Sequence, residues 1–210
     1  MDGIIFDVDG TLWDSTKEVA KSWNQVLREH TKLEADLTAK RLEREFGKPM
    51  DAIMDSLFPE LEARKKEEIA ALFYQYENEA MRTAPCRIYP GMKETVKKLA
   101  GKYRLFIVSN CQAGYIEAFL ENTGLQEYFE DHICPGDTGM LKADNIRLIM
   151  RRNGLQDAVY VGDTQGDADA CREAGVPMVY AAYGVGDVKE PWAVIQSMGE
   201  LLEEDLWQGQ

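Results

Sequence analysis

The chain is poor in the residues that build thiolate metal centres and histidine-based triads, with only 4 cysteines and 2 histidines in 210 residues. Cys86, Cys111, Cys134 and Cys171 are widely spaced, and none forms a C-x-x-C pair or lies beside His30 or His132. That spacing argues against a zinc site and offers no disulfide framework, so the thiols read as reduced side chains of a cytoplasmic protein. Cys111, next to Ser109 and Asn110, has no base close by in sequence. Basic charge is short as well. Against 37 Asp plus Glu stand 24 Lys plus Arg, and the net charge of -13 would repel a nucleic acid or an anionic bilayer. A long apolar run is also missing: after Met1-Asp2-Gly3 comes a short strand-like stretch with no basic region before it. Neither export nor a place in the membrane is expected.

What is present is ordinary globular material, 45% hydrophobic and 29% charged, long enough for one large domain or one domain with an insert. Short runs rich in β-branched and aromatic residues occur at 3–8, 104–109, 158–162 and 177–181, with a weaker one near 131–134. Amphipathic segments at 93–100, 115–122, 142–153 and 167–174 separate them, and Gly101, Gly124, Gly154 and Gly175 stand where those helices would end. Alternating strand and helix predicts an α/β fold: a doubly wound parallel sheet with helices on both faces. From about Ser15 to Met81 the pattern is helical only, which predicts a small inserted helical domain. Its boundaries fall at Asp14-Ser15 and Ala84-Pro85, so residues 1–14 and 85–210 form the core and 15–84 the insert.

The chemistry gathers at predicted strand ends. Asp7 and Asp9 close the first strand in Phe6-Asp7-Val8-Asp9-Gly10-Thr11, at the edge where open α/β sheets place ligands. Two carboxylates so close require a cation or a shared proton; a mere turn at Asp9-Gly10 is the plainer alternative. Asp163 and Asp167 follow the 158–162 strand, where one of them serves as a helix cap and the other has no such structural use. Asp163 can then approach Asp7 and complete an oxygen site for a hard cation such as Mg2+. Ser109 and Asn110 end another strand with a hydroxyl and an amide able to hold phosphate oxygens; taken alone, an ordinary helix start is the plainer reading of the pair. Lys142 sits at the positive end of a helix, where a bound anion or Asp7 would offset its charge; without the other motifs a solvated surface lysine is the plainer alternative.

In order, these motifs resemble the haloacid dehalogenase-like hydrolase superfamily, in its capped, phosphoglycolate phosphatase-like branch. The matching residues are D-x-D-G-T at Asp7 to Thr11, Ser109, Lys142, and G-D-x-x-x-D at Gly162 to Asp167. The lysine motif departs in one place, carrying Ala143 where many relatives have proline. The resemblance implies a Rossmann-like core closed by a helical cap and a Mg2+-dependent phosphatase acting on a small phosphorylated metabolite. It implies that Asp7 is the nucleophile and Asp9 the general acid, and that Lys142 offsets charge on the transferring group. Ser109 and Asn110 would hold phosphoryl oxygens. Asp7, the Asp9 backbone carbonyl and Asp163 would bind the metal, with Asp167 and Thr11 in support. Asp9 favours phosphate over halide chemistry, since an alkoxide leaving group needs a proton and a halide does not. The loop Arg44-Glu45-Phe46-Gly47-Lys48-Pro49 resembles a substrate-facing cap loop, which makes Lys48 and Arg44 candidate specificity residues. A β-phosphoglucomutase-like transferase shares the core, and a non-enzymatic receiver module is the reading from another class. The order of the acids and the helical insert argue against a receiver; the particular metabolite and the oligomeric state stay open.

Overall fold

The computed structural model describes residues 1–207. Six parallel strands make the central sheet: β1 (Gly3–Phe6), β4 (Arg104–Val108), β5 (Asp131–Ile133), β6 (Ala158–Gly162), β7 (Met178–Ala181) and β8 (Ala193–Ile195). Their order is β5-β4-β1-β6-β7-β8, so the N-terminal strand lies in the interior between β4 and β6. Helices α5 (Met92–Ala100), α6 (Tyr115–Thr123), α7 (Pro135–Thr138), α8 (Lys142–Asn153) and α9 (Gln165–Ala174) supply the connections. The expected doubly wound α/β architecture is present.

Alternation along each strand divides the core in two. Ile4, Phe6, Leu105, Ile107, Val159 and Val161 pack with α5 and α6 on one face. Ile5, Phe106, Val108, Ala158 and Tyr160 pack with Ile146, Ile149 and Cys171 of α8 and α9 on the other. Strands buried on both faces carry no polar alternation, which is why they read as continuous apolar runs in the sequence. Of the five predicted strands, β1 ends two residues early, at Phe6, and β4 and β5 one residue early, at Val108 and Ile133. The strand β8 gave no sequence signal beyond Ala193-Val194-Ile195, too short to stand out.

Four helices occupy the stretch between the first two segments of the core: α1 (Thr16–His30), α2 (Ala39–Leu42), α3 (Met50–Leu57) and α4 (Ala63–Met81). Trp23 of α1 stacks on Phe73 of α4 with ring centroids 4.5 Å apart. Both rings are buried, each contributing about 1.5–3 kcal/mol by burial. A short antiparallel pair ties the two ends of this stretch together, β2 (Trp13–Asp14) against β3 (Arg87–Ile88), with Trp13 opposite Ile88 and Asp14 opposite Arg87. Among the described residues, no helix is long and apolar enough to cross a membrane.

Candidate active site

The carboxyl ends of β1, β4 and β6 are neighbours, and each delivers a polar residue to the same edge. Asp7 continues the β1 ladder by one bond, its N–H donating to Val161 at 2.9 Å, and is 3% exposed. Gly10 then turns the chain at φ +80, a left-handed conformation that favours glycine. Asp9 is therefore carried by a turn rather than by the strand. Ser109 follows β4 and Asp163 follows β6, both buried.

Lys142, the first residue of α8, joins these groups. Its Nζ lies 2.5 Å from Asp167 Oδ1 and 3.2 Å from Asp7 Oδ1, and the side chain is 5% exposed. Burial would push the ammonium down, but the charges of Asp167 and Asp7 outweigh it and hold the lysine above its ordinary range. Burial likewise raises Asp167, yet Lys142 and the Thr164 hydrogen bonds win and keep that carboxyl low. Its second oxygen accepts from the Thr164 N–H at 3.0 Å and the Thr164 hydroxyl at 2.7 Å. Asp167 is fully occupied as a helix cap and a lysine partner. Asp7 is different: burial pushes it up to about 6 despite Lys142.

Asp163 is less well compensated, since the Val185 N–H and Lys142 lower it without offsetting its burial. Oδ2 accepts the Val185 N–H at 2.9 Å, whereas Oδ1 is buried without a hydrogen-bond partner. Burial, then the charges of Asp7 and Asp167, push its carboxyl up to about 8. One ligand atom each from Asp7, Asp163 and Asp167 lies within 4.8 Å of the others. An orphaned buried carboxylate oxygen beside two further carboxylates has the oxygen donor set and the unmet negative charge that suit Mg2+. The residues fit the ion.

In front of these groups is a cavity of about 430 Å3, walled by Asp7, Asp9, Ser109, Asn110 and Lys142 on the sheet side and by residues of α1, α3 and α4 opposite. A family model for haloacid dehalogenase-like hydrolases matches residues 4–181. The chain belongs to this family. Phosphoglycolate phosphatase of Nitrosospira multiformis is 27% identical to it over 211 residues, covering 94% of this chain and 92% of the relative. The enzyme of the same name from Escherichia coli is 27% identical over 234 residues, covering 95% and 90%. Among solved structures, a haloacid dehalogenase-like family hydrolase from Streptococcus pneumoniae superposes with TM-score 0.81 at 20% identity, covering 96% of this chain and 97% of that one. CbbY from Rhodobacter sphaeroides, in complex with phosphate, does so with TM-score 0.79 at 19% identity over 96% of each chain. The chain is thus a phosphoglycolate phosphatase-like member of the haloacid dehalogenase-like hydrolases.

In this hydrolase the structure brings Asp7, Asp9, Ser109, Asn110, Lys142, Asp163 and Asp167 together at one sheet edge. The outlying candidates fare differently. Lys48 borders the cavity, but its Nζ is 2.9 Å from Glu45 Oε2. Arg44 is exposed and off the wall, because the turn after α2 directs Glu45 inward to Ser56 and leaves its neighbour outside. Thr11 is fully buried with a partnerless hydroxyl, so no hydrogen bond ties it to the carboxylates. Asn110 donates to the Gly47 carbonyl at 3.0 Å, linking the end of β4 to the loop between α2 and α3.

Sequence reasoning missed the residues that hold Asp9. One of its oxygens, Oδ1, accepts from the Ser15 hydroxyl at 2.5 Å, the Tyr115 hydroxyl at 2.8 Å and Trp13 Nε1 at 3.0 Å. Burial nonetheless pushes Asp9 up to about 7. Trp13-x-Ser15 directly after the acidic motif was a usable signal; Tyr115, over a hundred positions away, was not. Gly184 and Gly186 beside Asp163 were missed too, and Gly10 was read only as a turn. A Cβ on Gly10 or Gly184 would fall well inside contact distance of the Asp163 side chain, and one on Gly186 would strike its backbone carbonyl. Gly10→Ala is therefore expected to lose about 1–3 kcal/mol through forced φ and crowding, seen as a lower thermal midpoint with activity falling alongside.

Proposed function

We propose that this hydrolase is a Mg2+-dependent phosphatase that cleaves a small phosphomonoester through an aspartyl phosphate on Asp7. The observation carrying this reading is the buried Asp7 carboxylate on the cavity wall, 3.2 Å from the Lys142 ammonium and beside the partnerless Asp163 oxygen. Asp7 attacks phosphorus; the new Asp7 oxygen to phosphorus bond forms as the bond to the leaving oxygen breaks. Asp9 protonates that leaving oxygen. Three donors fix Asp9 through Oδ1 and leave Oδ2 without a partner among the described residues, the arrangement a proton-transferring carboxyl needs. Ionised, Asp9 then takes a proton from the water that hydrolyses the acyl phosphate, and inorganic phosphate leaves. Lys142 stabilises charge on the transferring oxygens, while Ser109 and the second N–H of the Asn110 amide hold them. Asp7, the Asp9 carbonyl and Asp163 would hold Mg2+, which when bound supplies charge neutralisation to the transferring group.

Residues 15–84 act in this reading as a cap over the 1–14 and 85–210 core, supported by the β2–β3 pair that brings the two connections side by side. Free thiols at all four cysteines accord with a reducing, cytoplasmic setting. Metal removal provides the test. Hydrolysis of p-nitrophenyl phosphate should vanish after chelation and dialysis and return with Mg2+, while Ca2+, with its looser coordination, should restore little. Full activity in excess chelator would overturn the metal assignment.

A further inference from the structure

The cavity has two ends of opposite character. At the sheet end stand the carboxylates and Lys142. At the helical end the wall is Trp23, Phe46, Ile53 and Tyr74, with the carboxyl group of Glu77 set among them on α4. Glu77 is only 6% exposed. Its Oε2 accepts from Trp23 Nε1 at 2.6 Å and its Oε1 from Gln112 Nε2 at 3.2 Å. Each carboxylate oxygen can accept two hydrogen bonds, so both retain acceptor capacity, and the residue lines the cavity. No salt bridge reaches Glu77 among the described residues. Burial pushes its carboxyl up to about 7 against the two hydrogen bonds. A buried acid without a cation is an expensive way to tie Trp23 to Gln112, since an uncharged amide oxygen would accept the same bonds.

The basic side of the ledger is thin. Among the described residues lining the cavity, the basic side chains are Lys142 and Lys48. Lys142 is committed to Asp7 and Asp167, and Lys48 to the buried Glu45 carboxylate. Asp51 adds a further acid to the helical wall. A leaving group bearing a carboxylate or second phosphate would thus meet Glu77 and Asp51 with no free cation opposite. The cavity also has more room than a phosphoryl group with a leaving group as small as glycolate fills.

We infer that Glu77 is a specificity-determining residue that selects phosphomonoesters with a neutral or cationic leaving group, accepting a hydrogen bond from its hydroxyl or ammonium and disfavouring carboxylate-bearing esters such as phosphoglycolate. The apolar part of the leaving group lies against Trp23, Ile53 and Tyr74. This deepens the phosphatase reading and rests on it.

The test uses the full chain with Mg2+ and three esters matched in chain length: 2-aminoethyl phosphate, 2-hydroxyethyl phosphate and phosphoglycolate. Only the end group differs, being ammonium, hydroxyl or carboxylate. The expected result is a kcat/KM for the first two at least about tenfold above that for phosphoglycolate. In Glu77→Gln the ratio of the ammonium ester to the carboxylate ester should fall about tenfold, through loss of an attractive and a repulsive charge together. A purely structural Glu77 would lower all three values in parallel, which overturns the inference, as does phosphoglycolate proving the best of the three. If Glu77→Gln does not fold, the wild-type ratios alone decide. Hydrolysis of p-nitrophenyl phosphate separates the two levels: its absence overturns the phosphatase reading and the inference with it, whereas its presence with the wrong end-group order overturns the inference alone.

Discussion

Asp7→Asn should abolish turnover while leaving a folded protein. The substitution removes the attacking oxygen, and loss of a nucleophile that works as part of a catalytic unit lowers kcat by about 10^4 to 10^6. The fold should tolerate it because Lys142 keeps its closer partner, Asp167 at 2.5 Å. Burial and the neighbouring acid Asp167 already hold Asp7 above the ordinary carboxylate range, so an uncharged amide relieves a penalty as well as breaking a bond. The thermal midpoint is expected to stay within a few degrees of wild type. Acid-quenched wild-type protein should carry label from a radiolabelled phosphoester, and the variant should carry none. A folded Asp7→Asn protein with near-normal phosphatase activity would falsify the covalent route.

Lys142→Met should damage activity and stability together. Two carboxylates, Asp7 and Asp167, would remain buried without their shared ammonium, and breaking a buried pair in this way costs about 3–5 kcal/mol. For a chain of this size each kcal/mol moves the midpoint by about 2–4 °C, so a drop of about 6–20 °C is expected. Loss of charge stabilisation at the transferring oxygens should lower kcat by about 10^2 to 10^3. The double variant Lys142→Met/Asp167→Asn separates the two effects. Neutralising Asp167 removes one stranded charge, so the midpoint should recover in part while activity stays low. Recovery of activity in the double variant would mean that the lysine serves only to hold Asp167.

The sequence made the candidate reacting groups visible because their signals are local. Asp7, Asp9 and Gly10 lie within four consecutive positions, and Asp163 and Asp167 directly follow an apolar run, so each motif can be placed on a strand end without knowing the sheet order. The parallel α/β core was legible for the same reason, since strands buried on both faces leave unbroken apolar stretches. What stayed hidden depends on long-range packing. Tyr115 reaches Asp9 from α6, and Glu77 reaches Trp23 across 54 positions. No periodicity marks either, because a buried tyrosine on a helix and a glutamate in a charged helix both read as unremarkable. Arg44 shows the opposite failure: a loop that resembles a substrate contact in sequence turns one of its two basic residues away from the cavity.

The interior position of β1 has a consequence for how the chain acquires its site during synthesis. The strand that leads into Asp7 is made before the other strands of this sheet, yet its neighbours are residues 104–107 on one side and 158–161 on the other. Until β4 has emerged β1 has no partner at all, and until β6 follows it is an exposed apolar edge of the kind that pairs with other chains. The contacts that complete Asp163 come later still, from the 184–186 segment. The nascent chain is thus expected to be most open to aggregation over the interval in which residues 15–84 have emerged while the first strand still waits for the second half of the sheet.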